Sequence, residues 1–250
     1  MLQTTEKKKI VVLRKTSFVD YPGCISAVIF FSGCNLRCPW CYNGELALGT
    51  LNSGQAGDAV AGYISLEEAL NHIEKRRKVL GGAVLSGGEP TLFSGLGAVI
   101  SRIKSLGLRV KLDTNGLLPG ILENLFGAEE TRPDYIAMDL KTAPERYREF
   151  LPGNDAKAAN PGEALKRSAA LIRSSGIAHE FRSIALPASP NGKEDADYFS
   201  GRDRAALAVL AGDSPWHIRP FVPGNCLDPA WNTAEAEYGE AENEYGKTEK

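Results

Sequence analysis

The chain has 250 residues, of which 43% are hydrophobic and 24% charged, with a formal net charge of -2. Such a chain buries roughly 70–75% of its unfolded surface without needing disulfides. Its balance gives no charge footprint for nucleic acid or an anionic membrane as a partner, and no apolar run is long enough to span a bilayer. Residues 1–9 are polar and lysine-rich with no apolar run behind them, which predicts no secretory signal and a cytoplasmic location. Cysteines number five, and Cys34, Cys38 and Cys41 crowd into eight residues while Cys24 and Cys226 are scattered. That odd, clustered set points to metal or redox chemistry in a reducing compartment rather than to a disulfide framework.

In chain order, a short strand over 10–13 leads to a turn at Asp20-Tyr21-Pro22-Gly23. The run 25–31 is continuously apolar and rich in β-branched and aromatic residues, as in a strand buried on both faces. The cysteines follow at once. Residues 48–62 are rich in Gly, Ala, Asn and Ser and predict a loop. Ser65 and Glu68 make a capping box that opens a helix to about residue 79, whose basic end, Lys75 to Lys78, suits the helix dipole. A strand over 83–85 ends in Gly87-Gly88, and a helix over 96–106 closes at Gly107. Further strands are expected over 109–112, 135–140, 179–185 and 216–221. Asn160, Pro161 and Gly176 bracket another helix. The last twenty or so residues carry many Glu and Ala and few large apolar groups, so they are expected to be a charged tail. Strands alternating with helices predict an α/β chain, an incomplete (β/α)6 TIM-like barrel, over residues 25–230. Residues 1–24 form a leading strand and turn, and 231–250 the tail.

Gly33-Cys34-Asn35-Leu36-Arg37-Cys38-Pro39-Trp40-Cys41 spaces three sulfurs so that one compact loop can point them at a single centre. Three thiolates on a four-iron cube leave one iron without a protein ligand, the open position a reactive centre needs. The competing reading is a structural zinc in a binding module, but four-ligand zinc sites usually come as two close pairs. CxxxCxxC with an aromatic before its last cysteine resembles the signature of the radical S-adenosylmethionine (SAM) superfamily. The resemblance implies the barrel type above, a [4Fe-4S] cluster on Cys34, Cys38 and Cys41, and SAM bound through its amino and carboxylate groups.

Chemistry in β/α barrels gathers at the C-terminal strand ends, and the strand ends of this chain carry further elements of the resemblance. Gly87-Gly88-Glu89-Pro90 matches the motif that contacts the SAM amino group. Asp113-Thr114-Asn115-Gly116 and Asp139-Leu140-Lys141 are similar to elements of glycyl-radical activating enzymes. The resemblance implies that Asp113 and Asp139 bind a monovalent cation beside the SAM carboxylate. It also gives Lys141, Asn115 and Trp40 a place among the SAM contacts. Arg182 offers a fork-shaped guanidinium suited to a carboxylate. On local evidence alone, the Asp-Thr-Asn run reads as a helix cap and Asp139–Lys141 as a solvated ion pair, while Arg182 suits a structural ion pair as well as it suits a ligand.

The segment 15–23 (Lys-Thr-Ser-Phe-Val-Asp-Tyr-Pro-Gly) and the segment 220–228 narrow the likeness to the anaerobic ribonucleoside-triphosphate reductase activating protein family. That likeness implies hydrogen abstraction from a glycine of a partner enzyme, the reductase, with a flavodoxin- or ferredoxin-type electron donor. Radical chemistry on another glycyl-radical enzyme, a small molecule or an RNA base is the alternative. Val222 departs from the pattern, standing where an arginine is expected. Cys24 and Cys226 are read as free buried thiols.

Overall fold

The computed structural model describes residues 11–50, 62–153, 160–190 and 198–233. One seven-stranded sheet, in the order β1 to β7, organises them. Its strands are β1 (Val11–Ser17), β2 (Ser26–Phe31), β3 (Gly82–Gly87), β4 (Arg109–Thr114), β5 (Tyr135–Asp139), β6 (Ala178–Ala185) and β7 (Trp216–Pro220). From β2 to β7 every neighbouring pair is parallel. These are the six strands the sequence announces, and they make the α/β fold expected of the chain.

β1 is the addition. It runs antiparallel to β2, with Val11 opposite Phe31 and Ser17 opposite Ser26, and it extends beyond the four residues expected of it. β1 and β7 do not pair with each other among the described residues, so the sheet stays open between its edges.

The helices are α1 (Gly44–Leu48), α2 (Leu66–Arg76), α3 (Leu96–Ser105), α4 (Pro119–Phe126), α5 (Pro161–Ser174) and α6 (Gly201–Ala211). The capping box at α2 forms in full: the Ser65 side chain accepts from the Glu68 N–H, and the Glu68 carboxylate accepts from the Ser65 N–H. α5 opens on the Asn160 side chain with Pro161 as its first residue. α2 stops at Arg76, three residues before the expected end; α1 and α6 arise in stretches with no helix expected, and α4 follows the Asp-Thr-Asn run but is capped at Leu118 rather than by it. Of the loop expected over 48–62, Leu48 closes α1 and residues 51–61 lie outside the described residues. Most of the expected tail lies outside them too, while Pro229–Thr233 forms a 3₁₀ turn.

β2 to β5 are mostly buried on both faces, which is why β2 reads as an apolar run, whereas β7 is largely exposed. Ala27, Ile29 and Phe31 of β2 join Ile73 of α2 and Ile100 of α3 in the main core. Val28, one step out of phase, packs with Tyr21, Cys24 and Val84 in a second cluster. Cys24 is thus a small buried thiol. Among the described residues no helix is long and apolar enough to cross a membrane.

Candidate functional site

The cysteine loop leaves the end of β2 and is held from all sides by backbone hydrogen bonds. Gly33 and Cys34 donate to the carbonyls of Leu46 and Ala47 in α1, and Arg37 donates to Phe150. On the far side, the C-terminal segment clamps the loop: Leu227 N–H meets Cys41 O and Asp228 N–H meets Pro39 O, each at 2.9 Å. Tyr42 stacks on Phe221 and hydrogen-bonds the backbone of Val222. The Val222 side chain itself is exposed, and no contact of it explains the departure from arginine.

Trp40, expected among the SAM contacts, is only 3% exposed. Its ring packs against Phe150, Tyr198 and Trp231 at centroid distances of 5.2, 5.1 and 5.5 Å. It lines the cavity but is chiefly the anchor of the loop.

The Gly87-Gly88 pair follows the same logic. A Cβ on Gly88 would stand 2.0 Å from the Gly33 carbonyl oxygen, and Gly87 has φ +120°. The pair lets the end of β3 lie directly against the cysteine loop, where Gly88 N–H bonds Phe31 O and Glu89 N–H bonds Gly33 O. The close approach is therefore backbone to backbone.

Glu89 is equally turned inward. Its carboxylate accepts from Thr91 N–H and Oγ1 at 3.1 and 2.5 Å, from Thr114 Oγ1 at 2.8 Å and from Asn115 N–H at 2.7 Å. Burial pushes its carboxyl above the usual range despite those four donors. It ties the β3 end to the β4 end.

Cys34, Cys38 and Cys41 open on a cavity of about 540 Å³ that also receives Asp113, Asp139, Lys141 and Arg182. That volume lies in the range of small-molecule sites, roughly 300–1,000 Å³. Asp139 and Arg182 are register partners on β5 and β6, and the guanidinium Nε lies 2.9 Å from Asp139 Oδ1. Lys141 Nζ takes the other Asp139 oxygen at 3.2 Å. Burial alone would raise the Asp139 carboxyl, but the Arg182 and Lys141 charges outweigh it and hold the group at about 2. Burial works against the Lys141 ammonium, and Asp139 with the nearby Cys38 raises it above its ordinary value.

Asp113 accepts from Ser86 Oγ at 2.9 Å and from Lys111 Nζ at 2.7 Å, with Arg182 Nη1 at 3.5 Å. Lys111 was not foreseen, although a lysine two residues before Asp113 on a strand shares that residue's face. The cation the resemblance implies at Asp113 and Asp139 would have to share their oxygens with three positive groups.

The three thiols fit an iron–sulfur cluster. Three thiols lining one cavity are a donor set that a [4Fe-4S] cluster can take, each on a different iron. Burial pushes the Cys38 thiol up to about 12, and raises Cys34 as well, so loading a metal here releases protons. Cys226 remains a free buried thiol, close enough to Cys41 to feel its charge.

Comparison with known proteins agrees with this chemistry. The Radical SAM superfamily profile matches residues 28–188. A putative glycyl-radical enzyme activating enzyme of Methanocaldococcus jannaschii is 36% identical over 151 residues, 60% of this chain and 55% of that one. A 7-carboxy-7-deazaguanine synthase of Hyperthermus butylicus is 36% identical over 101 residues, 40% of this chain and 38% of that one. The chain thus spans about half the length, or less, of these two relatives. Among solved structures, Streptococcus suis SuiB bound to precursor peptide SuiA superposes with a TM-score of 0.51 at 13% identity, covering 78% of this chain and 39% of that one, a likeness of fold. Enzymes of the matched superfamily use a [4Fe-4S] cluster and SAM, and the chain belongs to the radical SAM superfamily.

Proposed function

We propose that the chain activates a glycyl-radical enzyme, with anaerobic ribonucleoside-triphosphate reductase as its partner. The observation that carries this reading is one cavity holding both the three-cysteine loop and the Asp139–Lys141–Arg182 charge cluster. Cys34, Cys38 and Cys41 would hold a [4Fe-4S] cluster with one iron left open, which would supply the electron for cleavage of SAM to methionine and a 5′-deoxyadenosyl radical able to take hydrogen from a glycine. Arg182 and Lys141 would offer positive charge to the SAM carboxylate, and the backbone of Gly87 and Gly88, which lines the same cavity, would meet its amino group. Asp113 and Asp139 orient those cations.

The partner reading draws on the M. jannaschii relative and on the open sheet. Arg14 and Asp20 from the β1 side and Arg219 from β7 line the same cavity as the cysteines, so the cavity reaches the gap between the edge strands. Such a gap can admit a loop of a folded protein. A flavodoxin- or ferredoxin-type protein supplies the electron. The H. butylicus relative favours a second reading, radical chemistry on a small molecule.

Reconstituted protein with reductant and SAM, assayed with and without the reductase, separates these readings. 5′-Deoxyadenosine together with a glycyl-radical doublet in electron paramagnetic resonance supports activation. 5′-Deoxyadenosine without the doublet moves the proposal to a small molecule, and neither product from a well-loaded protein removes it.

A further inference from the structure

Asn115 is 4% exposed at the end of β4, and every polar atom of its amide is engaged. Its Oδ1 accepts from the Leu117 N–H at 3.0 Å, which fixes the way the amide faces. The NH₂ group must then point at the cysteine loop. There it donates to Asn35 Oδ1 at 2.7 Å and approaches Cys34 Sγ at 3.8 Å. The residue is itself immobilised, because its backbone N–H donates to the buried Glu89 carboxylate at 2.7 Å. Leu36 N–H also points at Cys34 Sγ, at 3.4 Å. No N–H donor among the described residues reaches the sulfur of Cys38 or Cys41. Of the three sulfurs, Cys34 is the one that the fold supplies with donors.

We propose that Asn115 is a positioning residue for the cluster: its amide locks Asn35 and aims an N–H at the Cys34 sulfur, which favours the reduced cluster. This rests on the reading of Cys34 as a cluster ligand. N–H donors to a ligating sulfur draw off negative charge, and the reduced cluster carries more of it, so each donor raises the potential. Asn115 therefore acts on the cluster from β4, a strand that supplies none of its cysteines, and Glu89 acts through Asn115.

The test compares reconstituted wild type, Asn115→Ala and Asn115→Asp by iron content, electron paramagnetic resonance of the reduced cluster and dye-mediated potentiometric titration. Asn115→Ala is expected to shift the midpoint to more negative potential and alter the reduced-cluster signal. Asn115→Asp can keep the Leu117 contact while replacing the donors with an anion, and is expected to shift further the same way. Loss of iron from both variants with unchanged circular dichroism also supports positioning. A loaded variant with the wild-type midpoint and signal overturns the proposal. Wild type that takes up no cluster overturns instead the ligand assignment on which it rests.

Discussion

Lys111 and Asp113 stand two residues apart on β4 and meet as an ion pair at 2.7 Å, with only 3% of the lysine side chain exposed. Together with Arg182 and Lys141 the site holds three cations against the two carboxylates of Asp113 and Asp139. Glu180, deeper along β6, accepts from the Tyr135 hydroxyl at 3.0 Å and adds its charge on Arg182. The three cations and the Ser86 hydroxyl already occupy the oxygens of Asp113 and Asp139 that an alkali cation would need. SAM affinity is therefore expected to be the same in potassium, sodium or tetramethylammonium buffers of equal ionic strength. Lys111→Met should weaken SAM binding about tenfold, the scale of one charged hydrogen bond, and make it respond to potassium. Calorimetric titration measures both, and a potassium requirement in the wild type would return the ion to Asp113 and Asp139.

The cysteine assignments separate cleanly. Cys34→Ala, Cys38→Ala and Cys41→Ala should each abolish [4Fe-4S] loading and SAM cleavage, because a cube held by two thiolates has two open irons. Cys24→Ala should load normally, since its sulfur packs against Gly81, Gly82 and Tyr21 in the second cluster. Cys226→Ala should load as well. Iron and sulfide assays check all five variants, and a fully loaded triplet variant would remove that residue from the ligand set.

Much of this was legible in the sequence because its causes are local. Three sulfurs in one loop, the Ser65–Glu68 box and the β-branched run before Gly33 each act within a few residues. What escaped depends on distant partners. β1 is the exception: the turn at residues 20–23 leaves too short a connection for a parallel pair, so its antiparallel run beside β2 was readable and only its length was not. The rings that hold Trp40 in the cavity wall (Phe150, Tyr198 and Trp231) and the groups that bind Glu89 (Thr114 and Asn115) come from elements that the local sequence does not reveal. α6 did leave a signal: Ser200 and Asp203 form a capping box with Asp in place of Glu.

Glu89 supplies the sharpest contrast between a ligand contact and a structural tie. Its carboxylate oxygens are already shared among four internal donors, so Glu89→Gln turns an NH₂ toward groups that need an acceptor. A loss of about 2–4 kcal/mol in unfolding free energy is expected, with a smaller effect on SAM affinity in whatever fraction loads. Urea denaturation of the metal-free protein measures the first and SAM titration the second. Unchanged stability with lost SAM binding would make Glu89 a direct contact, as the resemblance implies.

Asp139 adds a pH signature. Its carboxyl is held at about 2, against 3.8 for an ordinary aspartate, because Arg182 and Lys141 overcome the effect of burial. A depressed acid stabilises the fold in its ionised form. The contribution is complete above the unfolded value, so it is constant from about pH 8 to 5, and it fades as pH falls through about 2. Asp139→Asn leaves both cations without their shared anion. The variant should unfold more easily at neutral pH, by about 2 kcal/mol on the scale of a charged hydrogen bond. The gap between wild type and variant should hold steady down to about pH 5 and narrow below pH 4, as the unfolded wild-type chain takes up a proton that the native carboxyl binds only near pH 2. Urea midpoints of both metal-free proteins at pH 7, 5, 3.5 and 2.5 trace that gap. A gap still undiminished at pH 2.5 would mean that the Asp139 charge is not what binds Arg182 and Lys141 to β5.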